Sequence, residues 1–531
     1  LAGEAPPPRD PRARLALETR LDALERIIQA QARGEGGLAI EPARRLLAEA
    51  EGQVAAARTL GWMPLVARAH RDVAALHGQL GKGKAARQEL IAAAASASAA
   101  GDGDALVEIY LAIAEVEARL TSELALGEGW NQLAAGTLAR LGPRPGKQLA
   151  VARSRGLLAQ RAGRPGDARA AYTEALAIAR TRSVGDELAV LIDLGLSEND
   201  LGELDAANAH LERALALART ELGERHPRIA QVQHNLGVVA YRQGHYAAAE
   251  RLFHTALAVR AAAYGEDSIE YAQTIEAIGN TEIMADRVAE ARAHFEQAIR
   301  IFEARLGPDH PDVANAYNDV GSTYHRAGLY ALALANQQHV LALREAALGP
   351  DHPDVAQSLV NLAIEAKNLG HWALIDPSYH RALALFTKAY GAASFEVGVT
   401  YINLGEAKRA QGQLDAAADA YAQAQRVLAA KLGENHPILA HIWNGLGQLE
   451  LARGHAELAR PLLERAVAMR EHDQTDATDL AESRFALATA IAPTDRRRAT
   501  TLATAARDVY KAAGPGYAAR LAAVESWLAK P

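Results

Sequence analysis

The stretch Ile229-Ala230-Gln231-Val232-Gln233-His234-Asn235-Leu236-Gly237 sets the fold, because its last residue returns at a fixed interval. Gly195, Gly237, Gly279, Gly321, Ala363, Gly405 and Gly447 stand 42 residues apart without a slip. A second ladder keeps the same step through Gly202, Gly244, Asp286, Gly328, Gly370, Gly412 and Gly454, and a third through Gly223, Gly265, Gly307, Gly349, Gly391 and Gly433. Self-similarity at a period of this size marks a solenoid, in which each repeat is a supersecondary unit that buries its apolar face only against its neighbours.

Composition agrees. Hydrophobic residues make up 49% of the 531, aromatics only 5%, and alanine fills much of the apolar share. Ala is the strongest helix former and lets helices approach closely, so the expectation is an all-α chain. The net charge of −7, with basic residues spread among acids, argues against a nucleic-acid partner. The run Arg496-Arg497-Arg498 behind Asp495 reads as a solvated helix start. No apolar run reaches the ~20 residues needed to span a bilayer, so no membrane insertion is expected within this stretch. The absence of cysteine excludes a disulfide framework, a thiolate metal site and a cysteine nucleophile here, and leaves the compartment open. Residue 1 is Leu, and residues 1–10 (LAGEAPPPRD) read as a Pro-rich linker from an upstream domain, so the chain is expected to be a processed form or a piece of something longer.

Residues 11–185 read as divergent helical hairpins, their helices separated by Gly34-Glu35-Gly36-Gly37, Gly61, Gly81-Lys82-Gly83, Gly101-Asp102-Gly103 and Gly142-Pro143-Arg144-Pro145-Gly146. The clearest of them carries Gly156, Gly163 and Ala175, spaced as Gly195, Gly202 and Ala214 are but only 39 residues upstream. Residues 186–472 hold seven regular 42-residue repeats. In each, a helix A carrying the Leu/Ile-Gly pair ends at a glycine seven residues on, and a helix B follows with an apolar face such as Ala249, Phe253, Ala256 and Leu257. The missing side chain of the first-ladder glycine should bring the two backbones together, so Gly321→Leu is expected to overpack them. Helix A opens at His226-Pro227, His310-Pro311, His352-Pro353 or His436-Pro437, where proline sacrifices no hydrogen bond. Asp309 or Asp351 just before should supply the capping oxygen. Residues 473–531 read as capping helices at 477–491, 495–513 and 516–530, the last bearing Trp527 and Leu528.

The L-G, G-x-Y and A-L skeleton resembles the tetratricopeptide repeat (TPR). The period and the linker Leu306-Gly307-Pro308-Asp309-His310-Pro311-Asp312-Val313-Ala314, nearly repeated from Leu348 to Ala356, look like the kinesin-light-chain class. The resemblance implies a right-handed superhelical TPR solenoid of about eleven hairpins. A wider resemblance, carried by the APPPRDP entry, Leu60-Gly61-Trp62-Met63-Pro64-Leu65-Val66-Ala67, Ala481-Glu482-Ser483-Arg484-Phe485-Ala486-Leu487-Ala488, Ala505-Ala506-Arg507-Asp508 and Ser526-Trp527-Leu528, is to the C-terminal half of large bacterial Ser/Thr protein kinases abundant in myxobacteria. It implies a regulatory, partner-binding region attached to an N-terminal kinase domain, often through a membrane span, that lies outside these residues. The region would then sit in the cytoplasm or beyond that span. The other readings are a free-standing kinesin-light-chain-like adaptor and the repeat array of a protein with another effector domain, such as a protease.

Three motifs resemble chemistry. His70-Arg71-Asp72 spells a kinase catalytic triplet, but the Asn due five residues after the Asp is His77, and the triplet sits mid-helix. Gly78-Gln79-Leu80-Gly81-Lys82-Gly83-Lys84 begins a phosphate-binding loop, but Ala85 replaces the Ser or Thr that would hold Mg²⁺, and a helix precedes it where a strand is needed. The four His-Pro histidines lie one repeat or more apart, roughly 10 Å of stacked helices, too far to share an ion with metal–nitrogen bonds of about 2 Å. No catalytic residue, metal or cofactor is assigned.

The resemblance places helix A along a concave groove, where an Asn two residues before the small position often bonds a bound peptide's backbone. Asn235, Asn361 and Asn403, with Asp319 in register, hold that place. An amide offers both donor and acceptor and suits main chain of any sequence, though the same groups could instead brace neighbouring helices. Projecting helix A adds Gln231, His234, Tyr241, Arg242, Gln273, Asn280, Asn315, Asn318, His325, Arg326, Lys367, Arg409, His441 and Asn444. The Lys that some TPRs use to grip a C-terminal carboxylate is replaced at His234, Glu276, Asn318, Val360, Ile402 and Asn444. The expected partner is therefore a protein or peptide whose polar or acidic internal segment lies in the groove.

Overall fold

A computed structural model describes residues 10–32, 40–121, 123–472 and 476–530. The expected linker before Asp10 and the breaker at 34–37 lie outside them. Among the described residues there are twenty-five α-helices and no strand. The regular repeats run as Val184–Leu201 and Leu204–Leu222, Pro227–Arg242 and Tyr246–Tyr264, Ile269–Met284 and Val288–Leu306, Pro311–Arg326 and Tyr330–Leu348, Pro353–Leu369 and Ile375–Tyr390, Phe395–Ala410 and Leu414–Leu432, then Leu439–Ala452 and Ala456–His472. Earlier helices pair in the same manner. The helices group into two compact units, one of residues up to 285 with 293–313, the other of residues 286–292 with 314–531.

The packing rule inside each unit is a knob and a missing methyl. A Cβ built on Gly237 would lie 2.6 Å from the Phe253 ring, one on Gly279 2.6 Å from Phe295, and one on Gly405 2.7 Å from Tyr421. Leu211 and Leu463 fill the same space against Gly195 and Gly447, and Tyr172 against Gly156. In every pair the knob follows the glycine by sixteen residues. The rings are buried to within a few per cent, so helix B delivers its largest side chain where helix A has none. Gly321 differs. Its register partner is Gln337, and the nearest atoms are Asn336 Oδ1 at 2.8 Å and Gln337 Nε2 at 2.9 Å, the ends of flexible side chains.

The other two ladders obey different backbone demands. Gly202 (φ 78°, ψ 8°) and Gly370 (φ 72°, ψ 21°) end helix A in the left-handed helical region, which Asp and Asn tolerate. Asp286 keeps that conformation with φ 60°. The third ladder sits elsewhere: Gly223 has ψ 158°, Gly349 159° and Gly433 161°, all with φ between 80° and 88°. Only glycine occupies that region readily, and no other residue stands there in six copies.

The caps of helix A correct one expectation. The acceptor is the histidine ring, not Asp309 or Asp351. His226 Nδ1 accepts from the Arg228 amide at 3.1 Å, His310 from Asp312 at 3.2 Å, His352 from Asp354 at 3.1 Å and His436 from Ile438 at 3.3 Å. Asp351 is instead paired with Lys388 at 2.9 Å. In the intervening repeats Ser268 and Ser394 do the same work through their hydroxyls. Burial lowers the pKa of His226, His310 and His352; Arg228 adds to this at His226 and Arg344 at His352, while Asp312 and Asp354 oppose it.

The helix beginning at Gly103 also departs from expectation, turning at Glu117–Thr121 into a π-helical turn. Glu117 is fully buried there, accepting from Arg87 at 3.2 Å and from the Thr121 hydroxyl, and the wider turn brings these partners to it. The closing helices are Ala477–Ile491, Arg496–Ala512 and Ala518–Leu528, with a 3₁₀ turn at Pro515–Tyr517 after Gly514.

Three outcomes follow for stability. Gly237→Ala should cost ~1–3 kcal/mol by driving a methyl into Phe253, while Gly321→Ala is neutral or better because Asn336 and Gln337 swing aside; equal losses in thermal melts would refute the knob assignment. Asp286→Gly should raise stability by about 0.5–1 kcal/mol by relieving a left-handed aspartate, read as a higher midpoint in urea. The three histidines have folded pKa values below their unfolded value of about 6.5. Their contribution is therefore whole above that pH and shrinks as pH falls through it. A triple variant His226→Ser, His310→Ser, His352→Ser should lose less melting temperature between pH 7.5 and 5.5 than the parent chain.

Candidate functional site

The groove side chains expected from helix A fall into two clusters, one in each unit. In the first unit Gln231, His234, Asn235, Gln273 and Asn280 surround a shallow cavity of about 440 Å³ with Arg260 at its base. His234 rests against the Phe253 ring at 5.3 Å, and burial with Arg260 nearby drives its pKa down to about 3, so it faces the cavity neutral. Tyr241 meets Tyr246 edge-on at 5.6 Å. Arg242 turns away and donates to the Asn199 carbonyl, tying two repeats together.

In the second unit His325, Arg326, Lys367 and Asn403 line a cavity of about 220 Å³ together with Tyr330, Ile364 and Glu406. His325 pairs with Glu365 at 2.7 Å and Lys367 with Glu406 at 3.2 Å. Asn361 donates to Asn318 Oδ1 at 3.0 Å and accepts from Gln357 at 3.0 Å, while Gln337 also reaches Asn318 at 3.2 Å. These amides are engaged with one another. Asp319 lies half-buried on the same helix, its carbonyl accepting from Ser322. Asn444 is buried and accepts from Ser483 at 3.0 Å, and Arg409 lies beside the Tyr421 hydroxyl.

The chain itself occupies part of this second cavity. Gly516, Tyr517 and Arg520 from the closing segment complete its wall. The Tyr330 hydroxyl donates to the Gly516 carbonyl at 3.3 Å, and a Cβ on Gly516 would strike the Arg326 carbonyl, so the backbones touch. Arg520 reaches Glu482 at 3.2 Å, and Gln448 donates to the same carboxylate at 2.8 Å. Burial works against that charge, but Arg520, Gln448 and Arg470 outweigh it and hold the Glu482 carboxyl below the ordinary glutamate range.

A buried arginine on helix B, not anticipated from the sequence, supports the groove from beneath. Arg344 donates to the Asp354 carbonyl at 3.1 Å, the Ser358 hydroxyl at 2.8 Å and Asn315 Oδ1 at 2.9 Å. Arg470 binds the Asp479 carbonyl, Ser483 at 2.6 Å and His441 Nδ1 at 3.1 Å. Arg260 repeats the pattern with the Glu270 carbonyl at 2.7 Å and Thr274 at 2.6 Å. Burial lowers the pKa of Arg260 to about 10, the cost of placing a cation inside the stack. The signal was present: Arg at one register, followed by Thr274 or Ser358 fourteen residues later and by Ser483 thirteen later.

A further concave space was also missed. It lies among the divergent hairpins, a cavity of about 790 Å³ lined by Arg119, Arg153, Ser154, Gln160, Tyr172, Asp193 and Asp200. Arg153 pairs with Asp193 at 2.7 Å and Gln160 with Asp200 at 2.5 Å. Asp193 stands two residues before Gly195, the register of Asn235, so carrying the projection one repeat back would have found it.

The kinase-like triplet and the loop after it have local roles. His70 bonds Glu89 at 2.5 Å, Arg71 bonds Glu108 at 3.1 Å, and Asp72 is buried, all on helix Met63–Gln79. The glycine-rich run spans the end of that helix and the start of Gly83–Ala99.

Among curated proteins, none matches this sequence. Solved structures align with parts of it. A kinesin light chain of Podosopora anserina with nearly identical TPR-like repeats aligns over 38% of this chain and 95% of its own, at 20% identity and a TM-score of 0.33. BtubC (BKLC) from P. vanneervenii aligns over 45% and 91%, at 21% identity and 0.33. A Rap protein complexed with competence and sporulation factor aligns over 69% and 99%, at 16% identity and 0.47. The family model for the tetratricopeptide repeat matches residues 186–262, 230–304, 270–346, 312–375 and 396–472. With half of its length so matched and its hairpins built on one packing rule, the chain belongs to the tetratricopeptide repeat family.

Proposed function

We propose that this repeat scaffold binds peptide segments of protein partners along the faces of its A helices, and that it is the regulatory region of a bacterial Ser/Thr protein kinase whose catalytic domain lies outside these 531 residues. The first half of the proposal is supported by the closing segment. In the second unit the groove side chains already hold a stretch of main chain, with the Tyr330 hydroxyl on the Gly516 carbonyl and the backbone packed against Arg326. A surface that holds a 3₁₀ turn through one of its peptide carbonyls has the chemistry to hold the main chain of another segment, and side chains repeated at a fixed pitch supply register. The kinase half rests on the sequence resemblance alone.

The amides are the groups to test. Asn235→Ala, Asn361→Ala and Asn403→Ala together should leave the helical circular dichroism unchanged and weaken, by about ten-fold or more, peptides selected against the parent chain from a random library. A ten-fold loss corresponds to about 1.4 kcal/mol, one or two hydrogen bonds. Unchanged affinity would leave these amides as braces between helices. For the attached domain, the reading frame upstream of Leu1 should encode a Gly-rich loop, a strand lysine, a complete HRDxxxxN and a DFG; another domain there would replace the kinase assignment.

A further inference from the structure

The cavity lined by Arg153 continues into a second one of about 740 Å³, sharing Glu108, Ala112, Glu115 and Arg119 with it. Its floor is apolar, made by Ile28, Ala74, Leu90, Val116 and Leu120. One wall carries Asp72, which is only 5% exposed and whose Oδ2 is buried without a hydrogen-bond partner. The cations around it are committed elsewhere. Arg68 binds Glu25 at 2.7 Å and also Asp22, Arg71 binds Glu108 at 3.1 Å, and Arg119 binds Glu115 at 2.9 Å. The charged groups of the facing helices are thus satisfied pairwise, and one carboxylate is left over in an apolar cleft. Leaving a buried acceptor unmade is costly unless something arrives to meet it.

We infer that this cleft is a peptide-binding site separate from the groove of the regular repeats, and that it takes a segment carrying one Lys or Arg between apolar residues, the cation seated on Asp72. The complementarity is of both kinds: apolar flanks cover the Ile28, Leu90 and Leu120 floor, and the cation supplies the missing partner. Without ligand, burial and the neighbouring Glu25 raise the Asp72 pKa to about 7, against the pull of Arg68 and Arg71, so a substantial share of the carboxyl is protonated at neutral pH. Seating a cation favours the ionised form, so binding should release a proton from Asp72 to solvent.

The test uses the full chain and a probe peptide, ALKLLA, acetylated and amidated, beside the same peptide with norleucine for lysine. Calorimetry in buffers of different ionisation enthalpy near pH 7 should show proton release for the lysine peptide, and binding about ten-fold weaker for the norleucine one. Asp72→Asn, a neutral isostere, should fold as the parent does, bind the lysine peptide about ten-fold more weakly and release no proton. Gly78→Leu fills the cleft without touching the carboxylate, because only Leu120 lies within 4 Å of a Cβ built there, at 3.8 Å. It should block the probe and decides the matter if Asp72→Asn misfolds. Equal affinity of the two peptides, an unchanged Asp72→Asn, or no binding of the lysine peptide would overturn the assignment. The triple asparagine variant should bind this probe normally, and a loss there would place the site in the regular groove instead.

Discussion

Most of the regular hairpins depend on a side chain that is absent. Where helix A lacks a Cβ, a ring or a leucine from helix B enters, as Phe253 does against Gly237 and Tyr421 against Gly405. The contact fixes the distance and rotation of the two helices together, because a ring in a slot cannot slide as two smooth surfaces can. All else on helix A is placed by that registration. Asn235 and Asn403 stand two residues before the slot and so are presented on the side away from the knob, with the cavity residues near them. Ala363 keeps its methyl, and Gly321 faces Asn336 and Gln337, where the same space is filled by polar groups that join the Asn318 and Asn361 network.

The groove is braced from within by charge as well as by shape. Arg260, Arg344 and Arg470 each cross from helix B to a carbonyl and a hydroxyl of the next helix A, so one cation ties successive repeats together. Two of them extend to Asn315 and His441 on the helix before. A groove residue held in this manner is preorganised, and a ligand that bonds to it loses little further entropy. The candidate surface is therefore a set of oriented polar groups on a rigid support, not a row of free side chains.

Much of the fold was legible in the residues because the period is strict and because glycine at fixed intervals carries steric information. The helices of the regular repeats and the turns at Gly202 and Gly244 follow from spacing. What spacing could not convey was the identity of a cap. His226 reads as a helix entry beside Pro227, yet that its Nδ1 substitutes for a serine oxygen depends on a ring torsion that no pattern encodes. The site was less legible still. Asn403 and Asn444 both project from A helices as groove candidates, but one lines a cavity and the other, one position off in register, is buried on Ser483 of the neighbouring helix. The clefts around Arg153 and Asp72 escaped because the early hairpins have lost the repeat that guided the projection, and because Asp72 sits in a triplet whose obvious likeness was to something else.

The two kinds of turn glycine leave different genetic room. Glycine and aspartate codons differ by a single base, so that exchange is among the easiest for any gene to sample. Where helix A ends, the left-handed backbone accepts the result, and Asp286 is such an exchange already made. Where helix B ends, the backbone at Gly223, Gly349 and Gly433 lies in a region closed to aspartate, and the same one-base change breaks the turn. Drift along this gene should therefore blur the ladder at the helix A ends while leaving that at the helix B ends intact, so the Gly223 series is the better ruler for finding worn repeats in related chains.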